Sequence, residues 1–475
     1  MSAAAGAHDG FARAGEGAAA PGKPPETPES ISLIPAPERW RLRARGPDDA
    51  ARRFREQLGL PAGPVVMSGH QAGFWHCGIL AKWFALERVA ARETAAPAWL
   101  VVDTDDNEPT VLNYPARRAA DGRLEVRRWQ AAPGLVIRPG TPTRAREPID
   151  PAPPPQSGRS VEVPELVRAG IGRAAEALRG WRGCSSLAEQ VARAAGDLIE
   201  RATGCPAPEP VLAGAVGRTD LFREIVRRMS DEAVACAQAY NEAVAAAPEA
   251  QLRPLELSGR RGRVELPLWR MAPGAARQAV YASELAVGDG ELAPRALLLT
   301  GLMRLAGCEL FIHGTGGRAY DRATDAWLGA WLGSDVELAP SVVATATWLL
   351  PLGDEPPPAP RELARAQWKR HAAQHDPGLV GDGAAADRKR ELVGAIARAA
   401  PGDVRRATLY REMHELLEEV RERHEPQIAQ FELRAAELRE RLRDGEILLD
   451  RAWPFALFPE ERLRELRARI HEAMA

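Results

Sequence analysis

The sequence predicts an α/β fold with a parallel-sheet core, helical insertions and a C-terminal helical coiled coil. Three observations predict it. Residues 64–105 have the pattern of a strand, a helix and a second strand. A similar β/α pattern returns over residues 291–352. From residue 409 onward, apolar residues recur three and four positions apart with charges between them, which is typical of paired helices.

Length and composition limit the functions that the chain can have. A chain of 475 residues is too long for one ordinary core, which predicts two or three domains. Apolar residues make up 45% and charged residues 27%, the balance of a soluble globular protein. The formal net charge is -2, so no field of one sign favours nucleic acid or an anionic membrane. No apolar stretch is long enough to span a membrane.

The N-terminus and the cysteines predict a cytoplasmic protein. Residues 1–30 are rich in Ala, Gly and Pro and lack the basic start and apolar run of a signal peptide, which predicts a disordered tail. The cysteines are too far apart for zinc-ligand spacing, and so sparse a set fits a reducing compartment. They are Cys77, Cys184, Cys205, Cys236 and Cys308.

The first half of the core is predicted over residues 31–135. "PDDAARRFREQLGL" has an acidic start and a Leu-Gly stop, which indicates a helix. "GPVVMSG" indicates a buried strand that ends in glycine. "GILAKWFALERVAARE" has apolar residues at helical spacing, and "PAWLVVDTDDNEP" is a second buried strand. Because this unit has the length of a right-handed βαβ crossover, the core is predicted to be a Rossmann-like parallel sheet.

The middle of the chain separates the two halves of the core. A Pro-rich linker is predicted over residues 136–160 and a mainly helical insertion over residues 161–290. Within the insertion, "GRVELPLWRM" and "ARQAVYAS" suggest an antiparallel pair. The second half of the core, residues 291–352, is predicted to contain a helix at 295–306, a strand at 308–313, a glycine-rich turn at 314–317, a helix at 318–332 and a strand in "ATATWLL".

The C-terminal part differs from the core. Residues 353–404 are predicted to be a linker with helices, and residues 405–475 a coiled coil. Pro426 must break or kink the coil, so an antiparallel hairpin is the alternative form. A homodimer through this segment is the expected assembly. The apolar stripe consists of Leu409, Met413, Leu416, Val420, Ile428, Phe431, Ala435, Leu438 and Leu442.

Polar, ligand-capable side chains follow three predicted strands. In an open α/β sheet, ligands bind at the carboxyl ends of the strands. If the strands are parallel, the three segments share one edge of the sheet, and their convergence predicts a binding site. The segments are Ser68-Gly69-His70-Gln71, Asp103-Thr104-Asp105-Asp106-Asn107-Glu108 and His313-Gly314-Thr315-Gly316-Gly317.

Each segment also has a purely structural explanation. The glycines at 69 and 73 turn the chain, and His70 and His76 are then ordinary turn histidines. Alternatively, the two histidines hold a phosphate or carboxylate at a helix N-terminus, or act as acid and base. Four carboxylates in six residues repel one another, so the acidic segment needs a counter-charge, a proton or a metal. The glycine-rich turn is either an anion-binding nest or a close-packed turn.

Several nearby side chains are expected to be structural. Cys77 lies at a helix start, where thiol pKa values fall, but its aromatic neighbours favour a buried and inert thiol. Trp327, Trp331 and Trp348 are predicted core residues. Lys82 is expected on the polar face of its helix rather than in the site.

The three segments resemble motifs of the bacillithiol biosynthesis cysteine-adding enzyme family. "VVMSGHQAGFWHCGILAKWFALERVA" is similar to that family's strand–turn–helix signature in Gly69, Gln71, Ala72, Gly73 and Gly78. "PAWLVVDTDDNE" is similar to its strand with an acidic end in Asp103 and Asp106. "FIHGTGGRAYDRAT" is similar to its later glycine-rich turn in Gly314, Gly316 and Tyr320. In outline the resemblance covers residues 60–450.

This resemblance implies a cysteine ligase-like enzyme that forms a carbon–nitrogen bond, as in joining cysteine to glucosaminyl-malate. It also implies a core like those of nucleotide-binding folds. The chain departs from the family's pattern at His70, at His76-Cys77, at Asp105 and at Gly317. Because substrate should bind at these positions, a paralogue with another substrate is equally compatible.

The resulting hypothesis is an enzyme that binds an amino-sugar-like or nucleotide-like substrate at the strand ends. The expected catalytic residues are His70, His76, Asp103 and Asp106. The expected substrate-binding residues are Gly69, Gln71, Gly73, Asp105, Asn107, Arg295, His313, Gly314, Thr315, Gly316, Gly317 and Tyr320.

Two alternatives stay open. One is a Mg²⁺-dependent nucleotidyl or phosphoryl transferase that uses the same histidine turn. The other is a non-catalytic protein that binds a small ligand and assembles through its coiled coil. The sequence identifies no cofactor, and a nucleotide and Mg²⁺ are the two candidates.

Overall fold

The computed structural model describes residues 29–475 apart from 45, 47, 136–137, 259–262, 286–289, 354–357 and 401–402. The predicted N-terminal tail lies outside the described residues except for its last two positions. The fold is mixed α/β and contains parallel strands. The chain forms two compact units. Unit 1 comprises the described residues of Met1–Ala116, Val126–Leu350 and Arg451–Ala475, and unit 2 those of Arg117–Glu125 and Pro351–Asp450.

The strands are β1 (Ser30–Ile34), β2 (Val65–His70), β3 (Ala96–Val101), β4 (Val111–Arg118), β5 (Leu124–Gln130), β6 (Val161–Glu162), β7 (Pro210–Leu212), β8 (Leu257–Ser258), β9 (Arg263–Met271), β10 (Gln278–Tyr281), β11 (Glu291–Pro294), β12 (Leu310–His313) and β13 (Ser341–Thr347). The helices are α1 (Asp49–Gln57), α2 (Cys77–Arg92), α3 (Glu165–Gly180), α4 (Leu187–Thr203), α5 (Asp220–Asp231), α6 (Ala233–Ala246), α7 (Ala296–Leu302), α8 (Gly317–Leu332), α9 (Pro360–Ala373), α10 (Gly383–Arg398), α11 (Val404–Arg423), α12 (Glu425–Leu448) and α13 (Glu460–Ala473).

Unit 1 is built on a six-stranded sheet with the order β1-β13-β12-β2-β3-β7. Strands β13, β12, β2, β3 and β7 are parallel, and β1 is antiparallel to β13. From β2 the chain moves outward through β3 to β7, and then crosses to the other side of β2 for β12 and β13. The strand order therefore reverses between β2 and β12. In open α/β sheets, ligands bind at such a reversal, beyond the carboxyl ends of the strands.

The predicted strand–helix–strand unit of residues 64–105 is confirmed as β2, α2 and β3. The apolar residues that open β2 are fully buried, as expected for a parallel strand covered on both faces. Helix α2 packs against β2, β3 and β13 and also against α13. Because neighbours surround it, α2 is buried over almost its whole length and is exposed only in its last turn.

The second half of the core is confirmed as α7, β12, α8 and β13, with small differences at the ends. The predicted helix 295–306 is α-helical as far as Leu302 and continues as a π-helical turn, Met303–Gly307. The predicted strand 308–313 begins at Leu310. The carboxylate of Glu309, just before it, accepts hydrogen bonds from Arg55 and from the backbone N–H of Val65.

The region between the two halves is helical as predicted, with α3, α4, α5 and α6. The predicted antiparallel pair is β9 and β10, which β8 and β11 extend to four strands. Strands β1 and β7 and a three-stranded sheet with the order β5-β4-β6 were not predicted from the sequence. Strand β7 contributes only three residues, which is too few to show a periodicity.

Unit 2 contains α9 to α12. The predicted break is confirmed, because α11 ends at Arg423 and Pro426 lies in the first turn of α12, where a proline disrupts no helical hydrogen bond. Every residue of the predicted apolar stripe is buried or half-buried. However, α12 packs chiefly against α9 and α11 against α10, so four helices rather than one two-helix seam bury the stripe.

The predicted C-terminal segment 405–475 is divided at Asp450. Residues 451–475 belong to unit 1, where α13 packs against α2 and α4. Throughout the part of the chain that the structure describes, no helix has both the length and the apolar character needed to cross a bilayer.

Candidate functional site

The structure brings the three polar segments to one edge of the sheet. Ile312 of β12 is in parallel register with Ser68 of β2, and His70 of β2 is in register with Val101 of β3. The chain therefore leaves β12, β2 and β3 at neighbouring points. Gly69 permits this close packing, because a Cβ there would collide with the carbonyl oxygen of Leu100.

Lys82 lies in this site, and the expectation that it occupies a polar helix face was wrong. The side chain is 3% exposed, and its Nζ donates a hydrogen bond of 2.6 Å to the carbonyl oxygen of Gly69. Its Nζ also lies 5.4 Å from the centre of the Trp99 ring. Burial lowers the pKa of Lys82 to about 7. The reason for the error is that α2 has almost no polar face, since the sheet and α13 both cover it.

His70 stands at the end of β2 beside Lys82. Its imidazole is half-buried, and its Nδ1 is buried without a hydrogen-bond partner among the described residues. The pKa of His70 lies well below its usual value, first because of burial and then because of the nearby positive charges of Lys82 and His76. A neutral imidazole with an unpartnered nitrogen is able to accept a hydrogen bond.

His76 caps the N-terminus of a helix. It is the N-cap of α2, and its Nδ1 accepts a hydrogen bond of 3.1 Å from the backbone N–H of Gly78. A Cβ on Gly78 would come within 2.8 Å of the His76 ring and 2.9 Å of the carbonyl oxygen of Ala346. The contacts of His76 therefore match the structural explanation, in which it is a turn histidine.

His313 ends β12 and is held by a buried carboxylate. Its Nε2 lies 3.0 Å from Oδ1 of Asp321. The same oxygen accepts a hydrogen bond of 3.3 Å from Arg304, and Oδ2 accepts one from the hydroxyl of Ser341. Burial by itself would raise the pKa of Asp321, but the charges and hydrogen bonds of His313, Arg304 and Ser341 hold it below its usual value. Gly317 packs directly on the imidazole, where a Cβ would collide with the ring.

The glycine-rich turn after His313 forms the open side of this edge. Thr315 and Gly316 are exposed, and α8 begins at Gly317 without a side-chain cap. The Gly317 N–H donates to the carbonyl oxygen of Gly314 at 3.0 Å. Tyr320 is half-buried and packs against the main core of unit 1. Of the predicted substrate-binding residues, the turn residues are the ones that solvent reaches most directly.

Arg277 is the counter-charge that the acidic segment needs. Its guanidinium lies 2.6 Å from Asp105 Oδ1 and 3.2 Å from Asp106 Oδ1. Asp105 also accepts a hydrogen bond of 2.7 Å from Gln71, and Asn107 donates to the carbonyl oxygen of Ala72 at 2.8 Å. These contacts tie the end of β3 to the turn after β2.

Repulsion among the carboxylates of this segment is also reduced at Asp103, which binds its proton more firmly than usual. Burial raises its pKa to about 6, against the opposing hydrogen bond of 2.6 Å from the Gly214 N–H and the charge of Arg144. Throughout the described residues, no group of three or more His, Cys, Asp and Glu side chains is arranged to hold a metal ion.

Arg295 is engaged in a different part of unit 1. Its guanidinium lies 2.7 Å from the carboxylate of Glu265 and 4.0 Å from the centre of the Trp269 ring. It also donates to the carbonyl oxygen of Leu268. These contacts join the start of α7 to β9, and none of them reaches β2 or β12.

The residues expected to be structural are buried as predicted. Trp327, Trp331 and Trp348 belong to the buried core. Cys77 is fully buried, and burial raises the pKa of its thiol far above the usual range. All five cysteines are free.

Sequence reasoning missed two residues of this edge, Lys82 and Arg277. A signal for Lys82 was present, because the chain has only four lysines and this one interrupts the apolar run "GILAKWFAL". No comparable signal exists for Arg277, one of many arginines. No protein family model matches this chain. The search of curated proteins also found no match.

Proposed function

We propose that unit 1 is a ligase-like enzyme that forms a carbon–nitrogen bond on an amino-sugar-like or nucleotide-like substrate. The substrate would lie at the carboxyl ends of β2 and β12 in a Rossmann-like sheet. The strand order supports this position, since the order reverses between these two strands. The motif resemblance to the bacillithiol cysteine-adding family supports the reaction class.

One observation carries the proposal: a buried lysine without an ion-pair partner among the described residues lies where the strand order reverses. Perturbed ionisable groups in a sheet-edge crevice are typical of active sites. His70 stands beside this lysine with its pKa lowered, so its imidazole is neutral, and Lys82, with a pKa of about 7, is the base that accepts a proton near neutral pH.

Ligation is favoured over Mg²⁺-dependent transfer by the contacts of the carboxylates. A magnesium site would need free carboxylate oxygens at the strand ends. Asp105 and Asp106 instead share Arg277, and Asp103 accepts a backbone N–H. Nitrogen bases, rather than metal ligands, are the reactive groups that this edge presents.

The proposal is tested by direct assay. The purified full chain is incubated with cysteine and glucosaminyl-malate, with and without ATP and Mg²⁺, and products are measured by mass spectrometry. We expect a product whose mass equals the sum of the two substrates less one water. In parallel, metabolites of a deletion strain should show a lost thiol and an accumulated amino-sugar precursor. Absence of product together with an unchanged thiol pool would reject the ligase.

We further propose a cytoplasmic homodimer that forms through unit 2. Among the described residues, half of the exposed large apolar side chains lie in this unit, although it holds less than a quarter of the chain. Exposed apolar side chains mark an interaction surface where they adjoin one another. They are Trp368, Val393, Val404, Tyr410, Leu433 and Leu449.

A further inference from the structure

We propose that Lys82 is the proton acceptor of the site, taking the proton that the amine of the substrate must lose before it forms the new bond. This inference rests on the proposed ligation and assigns a catalytic role to a residue outside the motifs that suggested that function. Four observations support it. The side chain ends at the carboxyl end of β2, and it has no carboxylate partner among the described residues. The position holds a lysine rather than an arginine, and little else packs beside the side chain at Gly314.

The side chain of Lys82 reaches the point where the strand order reverses. Side chains on a helix point back toward its N-terminus, so a residue in the second turn of α2 is directed at the end of β2. The hydrogen bond from Nζ to the Gly69 carbonyl fixes that end point. On the β12 side, the Cδ of Lys82 lies 3.9 Å from where a Cβ of Gly314 would stand.

Lys82 differs from the other buried cations of the described chain. Arg55, Arg295 and Arg304 each pair with a carboxylate, which compensates the cost of burying their charge. Arg146 donates to three backbone carbonyls. Lys82 donates to one carbonyl and makes no ion pair within the described residues. A buried amine in that situation favours its neutral form, whose lone pair is able to accept a proton.

The residue type at position 82 is informative because lysine is rare in this chain and arginine is common. Only four lysines occur, at 23, 82, 369 and 389, and arginine is the cation of the other buried contacts. An arginine does not release its proton in a protein, whereas a buried lysine does. The lowered pKa of Lys82, about 7, agrees with this reading.

Little besides Lys82 packs against the turn on the β12 side. Apart from its chain neighbours, a Cβ on Gly314 would meet a single atom within 4 Å, the Cδ of Lys82. The next two residues of the turn are exposed to solvent. A substrate amine that enters over the turn therefore arrives beside the lysine side chain.

The proposed step is a balanced proton transfer. The substrate ammonium, R–NH₃⁺, gives one proton to the neutral Nζ of Lys82, which leaves R–NH₂ with a free electron pair and Lys82 as –NH₃⁺. The free pair attacks the carbon of the partner substrate's carboxylate, R'–COO⁻, and a carbon–oxygen bond breaks as the carbon–nitrogen bond forms. The departing oxygen takes one proton from the nitrogen and one from the –NH₃⁺ of Lys82 and leaves as water, which returns Lys82 to its neutral form. Such general base catalysis accelerates a reaction by about 10²–10⁴-fold.

The test compares Lys82→Met, Lys82→Arg and the control Lys369→Met in the full chain, with cysteine and glucosaminyl-malate as substrates. We expect both position-82 variants to lose roughly 100-fold or more in kcat/KM at pH 8, and the control to match wild type. The wild-type rate should fall below about pH 7, as Lys82 becomes protonated. Lysine labelled with ¹³C at Cε gives an independent NMR titration, in which the Lys82 signal should have its midpoint near pH 7, far below the usual lysine value of about 10.4.

Each result has a defined meaning. Activity restored by Lys82→Arg would show that only the charge matters and would overturn the proton-acceptor role. So would a Lys82 signal that titrates together with the other lysines. If the wild type forms product and Lys82→Met forms it at the same rate, Lys82 is not the proton acceptor, although the protein is still a ligase. No product from the wild type would reject the ligase itself, and with it the role of Lys82.

Discussion

The Nε2 of His313 and the Oδ1 of Asp321 lie 3.0 Å apart, which joins the end of β12 to the first turns of α8. The contact spans the glycine-rich turn, so it fixes both the histidine ring and the path of the turn. Arg304, from the π-helical turn before β12, binds the same carboxylate. The open side of the candidate site therefore depends on one buried aspartate.

Asp321→Asn should destabilise unit 1. Removing one partner from a buried ion pair leaves uncompensated charge, which costs about 3 kcal/mol in the free energy of unfolding at pH 7. Because the folded-state pKa of Asp321 is lowered, its contribution is present above the unfolded value of about 4 and is lost as the pH falls through the folded pKa. Urea denaturation at pH 7 and pH 3 measures both effects. Asp325→Asn, at a half-exposed partner of Arg304, is the control and should cost less than about 1 kcal/mol.

Lys82→Met should stabilise the protein at neutral pH. The folded-state pKa of Lys82, about 7, lies below the unfolded value of about 10.4, so the unfolded chain binds more protons between these limits. The wild-type free energy of unfolding therefore rises with pH from about 7 to about 10, and the cost of burying the charge is fully present below pH 7.

The variant removes this cost. At pH 6.5 it should be more stable than wild type by on the order of 3 kcal/mol, and the difference should shrink toward pH 10. Urea denaturation at the two pH values, with Lys369→Met as the control, provides the measurement. A difference that does not change with pH would contradict the lowered pKa.

Arg277→Met should destabilise the edge of the sheet at β3. Asp105 and Asp106 would lose their shared counter-charge, at a cost of about 3 kcal/mol at pH 7. Thermal unfolding at pH 7 tests this. The exposed pair Arg128 and Glu108 supplies the control, since Arg128→Met should change stability by no more than about 1 kcal/mol.

Leu433→Glu should weaken the proposed homodimer. The side chain is 62% exposed on α12, and burying a leucine at an interface contributes about 2 kcal/mol, so the dissociation constant should rise roughly 10–100-fold. Light scattering over a range of protein concentrations gives this constant.

Val234→Glu, at an exposed position of α6 in unit 1, should leave the constant unchanged. Deletion of residues after 405 is unsuitable, because it would also remove α13 from unit 1. A wild-type chain that is monomeric throughout would reject the dimer.

Local patterns determined the core elements and the edge at which they meet. The apolar run before Gly69, the helical spacing after Gly78 and the glycines after His313 are each encoded within a few neighbouring residues. These signals predicted β2, α2, β3, β12 and α8. The Pro426 break and the apolar stripe of α11 and α12 were likewise visible, because side-chain periodicity reports which face of a helix is buried.

Only the tertiary structure decided the strand order and the chemical state of the site. Lys82 is buried because its side chain ends against the Gly69 carbonyl and the Trp99 ring, with the much later Gly314 beside its Cδ, and burial lowers its pKa. Arg277 neutralises carboxylates 172 and 171 positions earlier. Sequence periodicity shows which side chains avoid water. It does not show which distant segment covers them or supplies the opposite charge, and those long-range contacts set the electrostatics of this edge.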